Sequence, residues 1–295
     1  MEDPFTTDKK IICIVLAWNH IEDTMLTLST LLASKGVEFE TVLVDNASTD
    51  DTVERVKSAF PEVKIIQSDK NLGVSGGYNL GMAYATSQNA DYMLVANNDI
   101  EIDPEMLANL VRRMEQDPSL GMVMPLIYHY YDDRERYWCT GGHWRSFPPT
   151  IKMSNFNKSS KQVSLLPETI DFAPSCILLL SGEAVRKTGM FDTSYFFYYD
   201  DWDYSIRMRE AGYRIGLVAD AWMWHKVSVS TQNSEKPLVW WEKLGQSATI
   251  FSDKHFSGSK AAAFRLWLPV REFLKGHPER SKALLSGISK QKRKG

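Results

Sequence analysis

The chain has 295 residues, 43% hydrophobic and 24% charged, with 17 glycines and 12 prolines, which suits a folded globular protein and excludes disordered or collagenous character over most of its length. Its formal charge of -3, from 34 basic and 37 acidic residues, excludes a nucleic-acid binder driven by overall positive charge. Cys13, Cys139 and Cys176 are widely spaced and form no CxxC pair, which argues against a disulfide framework or a cysteine-based zinc site and fits a reducing compartment.

The acidic opening MEDPFTTDKK does not read as a signal peptide, and no stretch approaches the roughly 20 apolar residues that span a bilayer, so a soluble or peripheral protein is expected. Lys10 to Trp18 (KIICIVLAW) is a β-branched apolar run of strand length, ended by Asn19-His20 before a helical pattern from Thr24 to Lys35 that Gly36 stops. Glu40 to Val44 is a second short strand, and Asp45-Asn46-Ala47-Ser48-Thr49-Asp50 supplies caps for a helix starting near Asp51. Val63 to Gln67 is a third strand. After the glycine-rich stretch come a helix over Asn79 to Ser87 and a fourth strand, Asp91 to Ala96, ending in Asn97-Asn98-Asp99. Strands alternating with helices imply an α/β fold with a doubly wound, mainly parallel sheet covered on both faces. Such sheets bind ligands at the carboxyl ends of their strands, where Asp45 and Asp99 both stand.

Pro104 to Gln116 reads as another helix, and Tyr128 to Pro167, without clear period, as irregular or antiparallel excursions. Ile177 to Leu180 is a buried strand, Gly182 to Thr188 a short helix, and Trp202 to Ala211 a helix terminated by Gly212.

The stretch Asn71-Leu-Gly-Val-Ser-Gly-Gly-Tyr-Asn-Leu-Gly81 follows a strand and precedes a helix, where backbone amides can cradle phosphate; the alternative is a turn that lets the helix pack closely. It lacks the GK[ST] of a P-loop, and its glycines do not match GxGxxG. Asn97-Asn98-Asp99 puts hard oxygen donors directly after a buried strand, as suits magnesium or manganese bridging phosphates, whereas Asp103 before Pro104 reads as a helix cap. Tyr198-Tyr199-Asp200-Asp201-Trp202-Asp203 places three carboxylates at a helix start, where mutual repulsion raises pKa values and the helix N-terminus opposes it, so one carboxylate can serve as a general base and another as a cap. His225 alone reads as a core or surface histidine and gains interest only beside a metal at Asp99.

Taken in order, LVDNASTDDT, NLGVSGGYNLG, VANNDIEID, FFYYDDWDYSIRMREAGYRI and WHKVSVS resemble family-2 glycosyltransferases of the GT-A fold, closest to their bacterial rhamnosyltransferase-like branch, from about Ile11 to Ser230. The resemblance implies that Ala17, Trp18, Asn19, Asp45, Asn71, Gly76 and Asn98 line the nucleotide pocket, with Asp45 on the base. It implies Asp99 as a ligand of Mg2+ or Mn2+ and His225 as a second ligand. Asp201 falls on the family's general base and Asp200 on its supporting neighbour, roles that the Asp-Asp pair could exchange. Two departures are Asn97-Asn98, where many members are more acidic, and Gly77, where many carry an arginine.

The implied organisation is a GT-A domain over residues 1–235, with a nucleotide-binding half at about 10–125 and an acceptor half at about 126–235, followed by a helical basic extension over 236–295. Gly142, His143 and Trp144, together with Trp202, are expected to shape the sugar or acceptor pocket. From Lys254 to Gly295, 11 basic residues face 2 acidic ones, and Ala261 to Lys275 interleaves aromatic and cationic residues, although Pro269 weakens a single continuous helix. That segment suits an anionic membrane surface, a partner-docking helix or a homo-oligomer contact.

The expected function is an inverting, metal-dependent transfer of a sugar, L-rhamnose by branch resemblance, from a dTDP- or UDP-sugar donor to a glycan or lipid-linked acceptor of a bacterial surface polysaccharide. The expected place is cytoplasmic and peripheral, at the inner face of the plasma membrane. The alternatives are a nucleotidyltransferase that makes nucleotide sugars and a catalytically silent carbohydrate-binding scaffold.

Overall fold

Ile11–Ala17 (β1) is buried at every position, as an uninterrupted β-branched run must be when both faces of its sheet are covered. The computed structural model describes residues 5–131, 134–146, 149–196, 198–227 and 237–292. After β1 the chain alternates through α1 (Ile21–Leu32), β2 (Glu40–Asp45), α2 (Thr52–Ala59), β3 (Lys64–Gln67), α3 (Gly73–Ser87) and β4 (Tyr92–Asn97). The block β3-β2-β1-β4 is parallel throughout. Ala17 pairs with Asp45 and Leu16 with Asn97, so three strand ends come level at one edge.

The helix expected from Asn79 starts six residues earlier, at Gly73, so the glycine-rich stretch is the first two turns of α3 rather than a loop before it. The reason is packing. A side chain at Gly77 would strike Leu16, and one at Gly81 would strike Ile14, both on β1. The close-packing alternative therefore accounts for these two glycines.

The second half contains β5 (Ile100–Ile102), α4 (Met106–Gln116), β6 (Leu120–His129), β7 (Tyr137–Cys139), β8 (Gly142–Ser146), β9 (Pro149–Met153), β10 (Thr169–Ile170), β11 (Ile177–Ser181), α5 (Gly182–Thr188), α6 (Asp200–Glu210) and β12 (Arg214–His225). Ten strands form one mixed sheet in the order β10-β12-β6-β11-β4-β1-β2-β3, with β5 paired to β12 and β7 to β6. β12 runs parallel to β6, while β11 lies antiparallel between β4 and β6. The excursions expected between Tyr128 and Pro167 are β7, antiparallel on β6, and the separate β8-β9 hairpin.

Three further helices follow: α7 (Leu238–His255), α8 (Gly258–Leu274) and α9 (Pro278–Lys292). α8 is continuous through Pro269, which is buried inside it. The three helices share a second core in which Trp241, Leu244, Phe251, Phe264 and Leu284 pack with Tyr195 and Tyr199 of the preceding segment. The extension is therefore docked on the segment that leads into α6. The expected boundary at residues 235 and 236, the motif residues Ser228 to Ser230 and the terminal Arg293-Lys294 lie outside the described residues.

Candidate active site

The level ends of β1, β2 and β4 open into a cleft of about 420 Å³ lined by Trp18, Asn71, Gly73, Asn98, Asp99 and Lys226, among others. Ala17 is buried beneath it, and Trp18 stands half exposed at its rim. Asn19 ties two strand-end loops together: its amide donates to Ser48 Oγ (2.8 Å) and its Oδ1 accepts from the Thr49 amide (2.7 Å). Asp45 is buried and accepts from the Ser48 amide (3.1 Å), so among the described residues Asn46, not Asp45, reaches the cleft surface.

Asn46 was not singled out by sequence reasoning. Its Oδ1 accepts from the Leu72 amide (2.8 Å), and its Nδ2 donates to Gly73 O (3.1 Å) and Asn71 Oδ1 (3.2 Å), which clamps the start of α3 to the end of β2. Gly73 has a φ of +73°, and a Cβ there would lie 2.5 Å from the Phe196 carbonyl oxygen, so the turn into α3 requires glycine. Gly76 is a correction: it faces Leu72, whose Cβ would be 2.6 Å from an added Cβ, and Gly73 and Val74 line the cleft instead.

Beyond β4, Asn98 Nδ2 donates to Asn19 O (3.1 Å) and Thr24 Oγ1 (2.8 Å), a scaffolding role that frees Asp99 to face the cleft. Asp99 Oδ1 lies 3.1 Å from His225 Nε2. The His225 ring is buried edge-on to Trp138, with centroids 4.9 Å apart, and its Nδ1 has no hydrogen-bond partner. Among the described residues no three His, Cys, Asp or Glu side chains converge, so these residues would offer a metal one carboxylate and one imidazole here.

Lys226, also missed in the sequence, lines the cleft with Nζ 2.5 Å from Asp23 Oδ1. Burial would lower its pKa, but the Asp23 contact outweighs it and holds the ammonium charged. A basic residue following the histidine was the available signal.

Asp200 and Asp201 open α6, after Tyr198 and Tyr199 with φ of +58° and +67°, a strained backbone of the kind kept at functional sites. Asp201 accepts hydrogen bonds from the Trp202 amide (2.9 Å) and from the Ser175 backbone. Burial, and then the adjacent Asp200 charge, push its carboxyl well above the ordinary range. Burial also pushes Asp200 up, to about 6, with Asp203 adding to it. The third carboxylate behaves oppositely. Asp203 is fully buried, yet His255 Nε2 (2.8 Å), Lys254 Nζ (2.8 Å) and Arg207 Nε (2.6 Å) overcome that burial and hold it down at about 2. Rather than capping α6, Asp203 fastens α7 to it.

The segment before β11 joins the two acidic centres. The Tyr78 hydroxyl is within hydrogen-bond distance of Asn97 Oδ1 (2.7 Å) and Ser175 O (2.9 Å), and the Asn97 amide donates to Cys176 O (2.9 Å). The Cys176 thiol is pushed up first by burial and then by Cys139 and by the charges of Asp99 and Asp201. Trp202 lines a second cavity of about 290 Å³. Gly142, His143 and Trp144 do not: the Gly142 and Trp144 amides are engaged with Phe172 and Asp171, His143 is exposed beside Asp171, and the hairpin meets the cavity through Thr150 and Ile151 on its other strand.

Residues 12–182 match the family described as glycosyl transferase family 2. Among curated relatives, the N-acetylglucosaminyl-diphospho-decaprenol L-rhamnosyltransferase of Mycobacterium tuberculosis is 26% identical over 294 residues, covering 91% of this chain and 94% of that one. Among solved structures, the mannosyltransferase PcManGT from Pyrobaculum calidifontis, in complex with GDP-Man and Mn2+, superposes with a TM-score of 0.59 at 17% identity, over 95% of this chain and 75% of that one. GalNAc-T7 with UDP, GalNAc and Mn2+ gives 0.59 at 13% identity, over 83% of this chain and half of that one. At such identities the structural likeness speaks for the fold, which is GT-A. With a family match over more than half of its length and the fold to go with it, the chain belongs to glycosyl transferase family 2 and is a glycosyltransferase.

Proposed function

We propose that this glycosyltransferase inverts the anomeric centre of a sugar, L-rhamnose by its likeness to the mycobacterial relative, while moving it from dTDP or UDP to a hydroxyl of a lipid-linked or cell-surface glycan precursor. The observation that carries the reading is a pair of acidic centres whose charges both reach the Cys176 thiol: Asp99 with His225 in the cleft, and Asp201 with Asp200 at the start of α6.

The nucleoside lies against Trp18 and Asn46, and the diphosphate meets Lys226 and the amino end of α3, whose dipole favours negative charge. Asp99 and His225 offer a hard oxygen and a nitrogen donor already 3.1 Å apart, a set that fits Mg2+ or Mn2+ and would hold either. Such an ion supplies neutralisation of charge developing on the leaving diphosphate. Asp201, poised by its raised pKa, takes the proton from the attacking hydroxyl, and Asp200 keeps that pKa high. One base and one displacement invert the centre. Burial of the pair excludes water as a competing acceptor.

The same reading places the enzyme peripherally at an anionic membrane through its basic extension; no described helix is long and apolar enough to cross one. Calorimetric titration with dTDP, UDP and GDP, each with and without Mn2+, tests the donor side. Metal-enhanced binding of one pyrimidine diphosphate is expected, and failure to bind any of the three would turn the reading towards a silent scaffold.

A further inference from the structure

The donor cleft carries charges of both signs on its own wall. Among the described lining residues, Asp23 and Asp99 contribute carboxylates and Lys226 an ammonium. Lys226 Nζ lies 2.5 Å from Asp23 Oδ1, so the cation that a diphosphate would meet is already engaged by an anion of the protein. The two side chains are 14% and 30% exposed, which leaves the pair only partly screened by solvent.

The partners are anchored to different parts of the cleft. Lys226 directly follows β12, and its amide donates to Asp99 O (2.9 Å), which fixes its backbone beside the acidic centre and leaves any movement to the four-carbon stem. Its Nζ also stands over the Tyr130 ring, 5.0 Å from the centroid. Asp23 belongs to the first turn of α1, where the helix amino end favours a carboxylate. Each partner thus has a second source of stabilisation that outlasts their separation: the Tyr130 face for the ammonium and the start of α1 for the carboxylate.

Counting aspartate and lysine side chains, two carboxylates against one ammonium leave the lining negative, which opposes a polyanion. A diphosphate that takes over Lys226 gains the ammonium for its own oxygens while Asp23 falls back on the helix end. When the diphosphate departs, Asp23 is the nearest anion to receive the ammonium again. We infer that Asp23 is an internal competitor of the donor's diphosphate, which binds by displacing Asp23 from Lys226 and is released faster because Asp23 takes the ammonium back. Asp23 acts through Lys226 and is therefore a positioning residue. The inference rests on the donor cleft proposed above and deepens it by assigning a residue to the release step.

The test measures affinities and dissociation rates of UDP and dTDP in excess Mn2+, at one pH and ionic strength, with uridine and thymidine as uncharged controls. Asp23→Asn is expected to tighten diphosphate binding about tenfold, chiefly through slower dissociation, and to leave nucleoside binding unchanged. Asp23→Ser repeats the gain without the amide, and a gain of affinity cannot come from a damaged fold. Lys226→Gln weakens diphosphate binding about tenfold, and in its background Asp23→Asn adds nothing, because the ammonium it would have released is gone. A gain that persists in the double variant would show that Asp23 repels the ligand directly, and this overturns the inference. Unchanged or weaker binding by both Asp23 variants overturns it as well. Failure of the wild-type chain and both Asp23 variants to bind either diphosphate defeats the donor reading itself, whereas intact binding that is indifferent to Asp23 removes this inference alone.

Discussion

Asp99 and His225 are 126 positions apart in the chain, yet Oδ1 of the first lies 3.1 Å from Nε2 of the second. The antiparallel pairing of β5 with β12 makes this contact, because it sets His225 opposite Ile100, the neighbour of Asp99. Asp99→Ala should lower Mn2+-dependent affinity for the nucleoside diphosphate by on the order of a hundredfold, with His225→Ala less severe. Calorimetry with and without Mn2+ measures both, and a loss that is equal without metal would remove the metal role from this pair.

Asp201→Asn should lower kcat by about a thousandfold, the middle of the range for general-base removal, while nucleotide affinity is unchanged. A matching loss of nucleotide affinity would show that Asp201 serves the donor site rather than the acceptor hydroxyl.

The raised pKa values of Asp200 and Asp201 set the direction of the pH dependence. Activity should rise with pH from about 6 as the pair loses its proton, and Asp200→Asn should move that limb to lower pH by removing the charge that opposes ionisation of Asp201. The stability consequence has the opposite sense. A carboxyl raised from 3.8 to about 6 in the folded state contributes stability that is present below 3.8 and is lost as pH rises through 6. Asp200→Asn should therefore raise Tm at pH 7, on the order of 3 °C, and change it little at pH 4. A lowered Tm at pH 7 would contradict the buried-charge account.

Asp203 works the other way. Its carboxyl is held at about 2 by His255, Lys254 and Arg207 against the effect of burial, so its stabilisation is present above the ordinary 3.8 and is lost as pH falls through 2. Asp203→Ala should cost about 3 kcal/mol at neutral pH, because it leaves the Lys254 and Arg207 cations and the His255 ring nitrogen facing a void, and the cost should close below pH 2. Urea unfolding at the two pH values checks both parts.

Gly77→Ala should destabilise by about 2 kcal/mol and also weaken nucleotide binding. The added methyl group presses on Leu16 and lies 3.3 Å from Asn46 Nδ2, which clamps the start of α3. A stability loss without any change in nucleotide affinity would separate the helix packing from the cleft.

The strand ends were legible because buried parallel strands are continuous apolar runs and polar residues can follow only where such a strand leaves the core. That placed Asp45 and Asp99 without reference to distant contacts, and the acidic start of α6 was read from its place at a helix N-terminus. The start of α3 was not legible, since glycines at 73, 76, 77 and 81 read locally as a loop and become helical only against the side chains of β1. Asp203 could not be sorted from its two acidic neighbours because its partners Lys254 and His255 lie about 50 residues downstream. The extension reads as basic and amphipathic, but its contribution of Trp240, Trp267 and Arg271 to a cavity wall depends on how α7 and α8 turn, which no local pattern encodes.

β11 enters the sheet against the direction of its neighbours, and the short approach to it bonds both to Asp201 at the start of α6 and to Asn97 at the end of β4. Three of its bonds there are main-chain on its own part: the Ser175 backbone to Asp201, the Ser175 carbonyl to Tyr78 and the Cys176 carbonyl to the Asn97 amide. The relative placement of Asp99 and Asp201 is therefore coupled to the backbone of this short segment rather than to a side chain of its own.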